Sequence, residues 1–205
     1  TYGCADRNYW QYNITDTPSA RCQEAALTLA LLYTLEGSGY YRKPLIAQWI
    51  DAAVDFWTRM QASNGSFDEW YPHENSFVAT AFSSYAISET LLLMGREAID
   101  HPDRAMWGLV KAADWLMKKS EKRVQNQESG AVCFYYNLFL LTQDRKYQDA
   151  AQEQVKSIAA SQDEEGWFRE YGGADIGYLS LLIDYLAKYY RKSKDPGALE
   201  LLNKS

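Results

Sequence analysis

The chain has 205 residues, of which 47% are hydrophobic and 23% are charged, values typical of a globular protein and not of a disordered one. Its net charge is −6, and no stripe of basic residues interleaves with the aromatic ones, which argues against a nucleic-acid partner. Neither a signal peptide nor an 18-residue apolar run is apparent, so no membrane span is expected. Aromatic residues are abundant, at 15% of the chain.

Helix-forming stretches follow one another along the whole chain. The predicted helices cover about 19–35, 44–62, 76–94, 102–119, 130–142, 145–161 and 176–191, and a short last helix begins at Asp195-Pro196. Segment 121–130 is predicted to be a polar loop, and no strand pattern of convincing length is present. The first, third, fifth and seventh helices are apolar on most sides, which is typical of helices buried all round, whereas the others are amphipathic.

One phrase occurs twice, with no gap in the alignment. Gln61-Ala-Ser-Asn-Gly-Ser-Phe-Asp-Glu69 returns 101 positions later as Gln162-Asp-Glu-Glu-Gly-Trp-Phe-Arg-Glu170. Each copy lies between two predicted helices, so the repeating unit is a helix, a Gly-aromatic loop and a helix. With the alternation of buried and amphipathic helices, this pattern predicts one all-α domain over 1–205. We expect a partial or open α/α toroid of about four helical hairpins.

The lengths of the connections predict where a functional site lies. The long connections 62–75, 120–130 and 162–175 lead from an outer to an inner helix, as does the lead-in 3–18 to the first inner helix, and the short connections lead back. Antiparallel hairpins therefore place the long loops at one end, where function is usually found. The candidate site residues on these loops are Trp10, Glu69, Trp70, Tyr71, His73, Asn75, Trp167, Arg169, Glu170 and Tyr171.

Several of these residues have two interpretations. Five aromatic residues are candidate platforms for sugar rings, although each is also suited to packing within its own hairpin: Trp10, Trp70, Tyr71, Trp167 and Tyr171. His73 is one of two histidines and a candidate general base. Its alternative role is in the entry to the next helix, since the residues after it are ordinary capping residues.

Glu69 and Glu170 occupy equivalent positions in the two copies of the repeat. Paired carboxyl groups at a suitable distance serve as acid and base in glycoside hydrolysis. The alternative is that each carboxyl caps its own loop in the same way, which repeat equivalence favours.

Three segments carry a resemblance to a known class of protein. They are Gly166–Leu181, Asp6–Trp10 with Asp16–Ala20, and Trp70-Tyr-Pro-His-Glu-Asn75. They resemble α/α-toroid proteins of bacterial polysaccharide metabolism, and heparinase II/III-like polysaccharide lyases are the nearest named group.

The resemblance implies β-elimination of a uronate polymer, with polysaccharide or oligosaccharide as the partner. It implies that Asn75 neutralises the carboxylate, and that His73, Tyr71 or Tyr171 takes the C5 proton and protonates the leaving oxygen. Substrate binding would fall to Trp10, Trp70, Glu69, Trp167, Arg169 and Glu170. Lyases of this type usually carry a further β-sandwich domain, so another domain of the native chain is an expected partner. The alternatives are a non-catalytic carbohydrate-binding or scaffold domain and a glycoside hydrolase with paired carboxylates.

The Gly-aromatic phrase is also similar to the QW repeat of terpenoid cyclases, in which Gln caps a helix end and the aromatic residue stacks beside it. This similarity predicts a structural role for Gln61 with Phe67 and for Gln162 with Phe168. The Asp-rich acid motif that those cyclases need does not occur in the chain.

No sequence motif for a nucleotide, a hydrolase nucleophile or a catalytic zinc is present, so no cofactor and no metal are expected. The three cysteines, Cys4, Cys22 and Cys133, form no CxxC pair and are predicted to be buried free thiols, which are compatible with the cytoplasm. The compartment stays open. Because the chain begins at Thr1, we expect it to be part of a longer protein.

Overall fold

The computed structural model describes residues 1–205, and the chain is mostly helical, which confirms the all-α class. Two short 3-10 turns, Ala20–Glu24 and Arg96–Ala98, precede the second and fifth helices. A hairpin of two-residue strands, β1 (Arg169–Glu170) and β2 (Gly173–Ala174), lies in the second Gly-aromatic loop. The helices are α1 (Arg7–Trp10), α2 (Ala25–Thr34), α3 (Pro44–Met60), α4 (Phe77–Met94), α5 (Pro102–Leu116), α6 (Gln125–Thr142), α7 (Arg145–Ala159), α8 (Ile176–Ser193) and α9 (Pro196–Lys204).

The chain divides into two compact units, Thr1–Leu116 and Met117–Ser205. In the first unit, α2 packs on α3 and α4, and α5 packs on the same two helices. In the second unit, α6 packs on α7 and α8, and α9 packs on that pair. The two units therefore repeat one scheme of packing. The first Gly-aromatic loop joins α3 to α4, and the second joins α7 to α8.

Helix α6 begins at Gln125, so the prediction of a polar loop up to residue 130 is wrong. The first turns of α6 are polar but buried: Gln125, Asn126 and Glu128 are each at most 5% exposed. Burial of polar groups is tolerated because they have partners. The Glu128 carboxylate accepts hydrogen bonds from the backbone N–H of Glu121 and the hydroxyl of Ser120.

Burial within the helices follows the prediction in two cases and departs from it in two others. Helices α4 and α6 are buried on most sides. Helix α2 buries only Ala26 and Ala30, because its neighbours within the unit cover one side and leave Leu31 exposed. Helix α8 is likewise covered on one side, and Ile176 at its first turn is 88% exposed.

Helix α4 is the one helix with the length and composition that a membrane span requires. The sequence prediction of no 18-residue apolar run is therefore wrong for residues 77–94. About two thirds of this stretch (67%) is buried inside the protein. The core helix of a water-soluble fold meets the same criterion, so the finding is weak evidence for a membrane span.

All three cysteines are free thiols, but only Cys133 is buried, and Cys22 is exposed. The prediction of burial is therefore wrong for Cys22. That residue lies in the 3-10 turn before α2, where Gln23, and not Cys22, points inward and donates to the backbone carbonyl of Ala53.

The first Gly-aromatic loop docks against α5 and the second docks against α9, each by close backbone contact. Gly65 has a φ of +99°, and a Cβ added there would lie 2.3 Å from the carbonyl oxygen of Lys111. Gly166 has a φ of +95°, and its added Cβ would lie 2.0 Å from the carbonyl oxygen of Lys204. No side chain fits in either place.

The Gln and the aromatic residue of each phrase complete this docking. Gln61 Nε2 donates to the carbonyl oxygens of Gly65 (3.0 Å) and Gly108 (2.7 Å), and Gln162 Nε2 donates to those of Gly166 (3.0 Å) and Leu201 (3.2 Å). Phe67 is fully buried and stacks on Trp57 with ring centroids 4.6 Å apart. The predicted structural role of the phrase agrees with these contacts.

Alanine substitutions at the glycines separate backbone strain from steric overlap. Gly172→Ala meets a φ of +97° in open space, so we expect a loss of about 1 kcal/mol in the free energy of unfolding. Gly166→Ala adds the overlap with Lys204 and should cost about 3 kcal/mol or more. Gly39→Ala, in open space and without a positive φ, is the control. Urea unfolding followed by far-UV circular dichroism measures all three. Equal effects of Gly166→Ala and Gly172→Ala would contradict the docking.

Candidate functional site

The first unit carries a loop, residues 67–76, that we call the platform loop. Its backbone is fixed by two carboxylates. Asp68 accepts hydrogen bonds from the N–H groups of His73 (2.8 Å) and Asn75 (2.9 Å). Glu74 Oε2 accepts from those of Glu69 (2.9 Å) and Trp70 (2.8 Å). Four N–H groups of an exposed loop thus have charged acceptors, which strengthens the bonds and orders the loop.

Asn75 is part of this framework and is not free to meet a ligand. Its Oδ1 accepts from Asn64 Nδ2 and from Ser66 Oγ, both at 2.7 Å. Its Nδ2 donates to the carbonyl oxygen of His73 at 2.6 Å. Asn75 also has a φ of +55°, a backbone conformation that Asn tolerates better than most residues. The loop thus uses Oδ1 and one of the two N–H groups of the amide, which argues against its predicted role of neutralising a substrate carboxylate.

Most of the side chains between Asp68 and Glu74 are exposed. Trp70 is 70% exposed and Tyr71 is 71% exposed, and His73 is also exposed. His73 has a φ of +65°, so its side chain leaves the loop at a left-handed turn. The interpretation of Trp70 and Tyr71 as residues packed inside their own hairpin is therefore excluded.

Trp10 lies at the end of the four-residue helix α1 and is 43% exposed. The helix is held by Asp6, whose carboxylate accepts from the N–H groups of Asn8 (3.0 Å) and Ser19 (2.9 Å). Asp6 thus ties α1 to the segment before α2, and Trp10 is presented on an ordered element.

Glu69 points away from the exposed aromatic residues and into its own unit. Its side chain is 13% exposed and lies 3.8 Å from Arg21. Burial raises the pKa of this carboxyl above its usual value, Arg21 lowers it, and Glu74 and Glu24 raise it further. Glu69 is thus a partly buried partner of the turn before α2.

In the second unit, the residues around β1 alternate in direction as a strand requires. Phe168 and Glu170 point inward and are 1% and 4% exposed. Trp167 is half-buried and Arg169 is exposed, so both face the opposite side. Trp167 Nε1 donates to Glu165 Oε2 at 3.2 Å, which fixes the indole.

Glu170 holds the beginning of α6. Its two carboxylate oxygens accept from the backbone N–H of Asn126 (2.9 Å) and from Asn126 Nδ2 (3.0 Å). Unpaired N–H groups at a helix start are commonly satisfied by an acceptor of this kind. Burial raises the pKa of Glu170, and the hydrogen bonds from Asn126 act in the opposite direction. These contacts favour a structural role of Glu170 over that of a hydrolytic acid or base. The cap is on α6, however, and differs from the contact of Glu69 with Arg21, so the two carboxyls do not cap their own loops in the same way.

Tyr171 follows β1 and is 61% exposed, with a φ of +52°. Its N–H donates to the carbonyl oxygen of Arg123 at 3.0 Å, and its ring lies 5.9 Å from that of Tyr178 in a tilted arrangement. The hydroxyl is thus carried on the outside of the second unit.

The structure brings the candidate residues together in two sets. Glu69, Trp70, Tyr71, His73 and Asn75 share the platform loop of the first unit, and Trp10 lies in α1 of that unit. Trp167, Arg169, Glu170 and Tyr171 share the β1 region of the second unit.

Sequence reasoning missed a cleft of about 310 Å³ in the second unit, whose lining includes Trp167 and Arg169. Lys122 and Gln125 form part of its wall. The signal that finds them is the repeat itself, because they align with Arg21 and Glu24 at the same spacing as the two phrases. The remaining lining residues are Ala160, Ser161 and Asp163.

No group of three His, Cys, Asp or Glu side chains is arranged to hold a metal ion. Neither a known protein family nor a curated protein matches the chain. The geometry of the two loop regions is therefore the basis for inferring the function of the chain.

The raised pKa of Glu170 predicts how stability changes with pH. The folded state holds the proton more tightly than the unfolded chain, so this carboxyl's contribution to stability falls as the pH rises from its usual pKa of 4.5 through its folded pKa. Glu170→Gln removes the titration and keeps an acceptor for the N–H of Asn126. We expect a flatter dependence of the free energy of unfolding on pH between about 4 and 7. Urea titrations at several pH values measure it, and Glu164→Gln, in the exposed part of the loop, controls for charge. Identical slopes in wild type and Glu170→Gln would contradict the assignment.

Proposed function

We propose that the chain is a carbohydrate-binding helical protein whose platform loop binds a polysaccharide or oligosaccharide. The observation that carries the proposal is the exposure of Trp70 and Tyr71, at 70% and 71%, on a backbone held by Asp68 and Glu74. The repeated packing scheme supports the companion proposal that the hairpins belong to an open α/α toroid.

Sugars suit this arrangement for a physical reason. One side of a pyranose ring presents C–H groups that pack on an aromatic face, and its hydroxyl groups bind fixed polar atoms nearby. A loop that is already ordered loses little conformational entropy on binding, which favours affinity. The four N–H groups bound by Asp68 and Glu74 supply that order before any ligand arrives.

Replacing the indole tests the platform. We expect Trp70→Ala to weaken binding to an oligosaccharide by about tenfold or more, since a stacked aromatic ring typically contributes 1 kcal/mol or more. Trp70→Phe should recover part of the affinity because it keeps a flat face.

Trp107→Ala is the matched control, because Trp107 is an equally exposed indole (65%) of the same unit, on α5 under the Lys111 ammonium. Glycan-array screening of the wild-type chain, followed by calorimetry on the best ligand, gives the affinities. If Trp70→Ala and Trp107→Ala bind that ligand as tightly as wild type, or if the array shows no ligand, the platform proposal is wrong.

β-Elimination on a uronate polymer is the second candidate, favoured by the exposure of Tyr71 and His73 on the same loop. In this reaction the imidazole of His73 would take the C5 proton of the uronate, and the Tyr71 hydroxyl would protonate the leaving oxygen. Because Asn75 is committed to the loop, another donor would have to neutralise the substrate carboxylate.

The lyase candidate predicts a gain of ultraviolet absorbance when the chain is incubated with a uronate polymer, since each cut creates a C4–C5 double bond. His73→Ala should lower the rate by about a hundredfold or more while leaving oligosaccharide affinity nearly unchanged. His101→Ala controls for loss of the other imidazole. Binding without any absorbance change, across several uronate polymers, would reject the lyase candidate and leave the platform proposal standing.

A further inference from the structure

The cleft of the second unit differs in charge from the matching surface of the first. In the first unit, Arg21 forms ion pairs with Glu24 and Glu69 and lies over the ring of Phe82. Its cation is therefore neutralised within the unit.

In the second unit, the aligned residues keep a cation and lose one of its acidic partners. Arg21 corresponds to Lys122, and its partner Glu24 corresponds to the neutral Gln125. Gln125 Nε2 donates to the carbonyl oxygen of Lys122 at 2.9 Å, so this side chain holds the backbone of Lys122 and not its ammonium group. Lys122 forms no ion pair.

Two further replacements build the other wall of the cleft. Ser66 corresponds to Trp167 and Asp68 corresponds to Arg169, so an aromatic face and a second cation appear together. Both side chains lie on the same face of the extended segment 167–170 because they are two residues apart. Arg169 forms no ion pair either.

The remaining charge in the cleft is Asp163, and it is turned toward its own loop. Its Oδ1 accepts from the backbone N–H of Glu165 at 3.0 Å, and its N–H donates to the carbonyl oxygen of Trp167 at 2.8 Å. The lining thus carries two cations without ion pairs and one carboxylate in a protein whose overall charge is −6, and the Glu165 carboxylate lies outside the lining, 3.2 Å from Trp167 Nε1.

We propose that this cleft binds a sugar that carries an oxyanion, with Trp167 against the ring and Lys122 and Arg169 on the charged group. Arg169 offers a planar fork that matches a carboxylate, sulfate or phosphate, and Lys122 offers a compact cation. A volume of about 310 Å³ lies at the lower end for small-molecule sites and suits a single sugar ring. The proposal is independent of the platform loop, because all of its residues belong to the second unit.

The test is a titration of the full ¹⁵N-labelled chain, with the indole N–H signal of Trp167 assigned through Trp167→Phe. The probes are glucose 6-phosphate, glucose 6-sulfate, glucuronate, glucose and inorganic phosphate. We expect at least one charged sugar to shift the Trp167 signal in a saturable way, with an affinity at least about tenfold above that of glucose. The three charged probes identify which oxyanion the cleft prefers.

The variants Lys122→Gln and Arg169→Gln should each weaken that charged sugar by about tenfold and leave glucose unaffected. Arg123→Gln is the matched control, since Arg123 is exposed beside Lys122, lies outside the cleft and changes the net charge equally. Trp70→Ala, in the other unit, should have no effect on this titration.

Three outcomes would overturn the proposal. One is equal affinity for glucose and all charged sugars. Another is binding of inorganic phosphate as tight as that of the charged sugars, with no shift of the Trp167 signal, which would indicate an anion site without a sugar platform. The third is an equal loss in Arg123→Gln and Arg169→Gln, which would indicate general electrostatic attraction. The first and third comparisons involve only exposed side chains or the wild-type chain, so misfolding does not obscure them.

Discussion

Gly65 docks on α5 and Gly166 docks on α9, and the structure of both loops depends on this constraint. A backbone that approaches to 2.3 or 2.0 Å of where a Cβ would stand excludes every residue but glycine. The neighbouring Gln side chain ties the loop to the same helix through backbone carbonyls. Because the start of each loop is fixed in this way, the residues that follow Gly65 and Gly166 have defined positions on the surface of their units. These residues include most of the candidate site residues.

From this common start, the two loops satisfy their backbone by different means. In the platform loop, the carboxylates of Asp68 and Glu74 accept the N–H groups. In the second unit, the corresponding stretch pairs with itself as β1 and β2, in the register Arg169 to Ala174 and Glu170 to Gly173. Either a side-chain acceptor or a short ladder pairs the backbone groups of the loop and fixes its conformation.

The sequence was sufficient to predict features that depend on local pattern. The repeated Gln, Gly and aromatic residues indicated two equivalent loops between helices, and the bounds of α3 and α4 were predicted within about two residues, the usual uncertainty of helix ends. The start of α6 could not be predicted, because its polar first turn is stabilised by Glu170, which is distant in the chain. The exposed sides of α2 and α8 could not be predicted either. Composition shows that a helix can be buried but not which of its sides has neighbours.

The candidate site was predicted in part for the same reasons. The position of Trp70 and Tyr71 in a long connection was predicted, whereas the sequence left open whether they pack or face solvent, and their exposed fractions of 70% and 71% decide for solvent. The commitment of Asn75 to the loop does not, because it requires Asn64 and Ser66 to be brought into hydrogen-bonding distance. Lys122 was missed because it meets Trp167 and Arg169 only in the folded unit.

The exchange of Asp68 for Arg169 connects the fold of the two loops to their chemistry. In the platform loop, an Arg in place of Asp68 would leave the N–H groups of His73 and Asn75 without their acceptor. In the second unit, the pairing of β1 with β2 removes that requirement, because the backbone satisfies itself. The aligned position is then free to carry a cation into the cleft. The Glu at the next position keeps its inward direction in both copies: Glu69 lies near Arg21, and Glu170 caps α6, a helix of its own unit. One scaffold thus supports an exposed aromatic loop held by carboxylates in one unit and a cleft with two unpaired cations in the other.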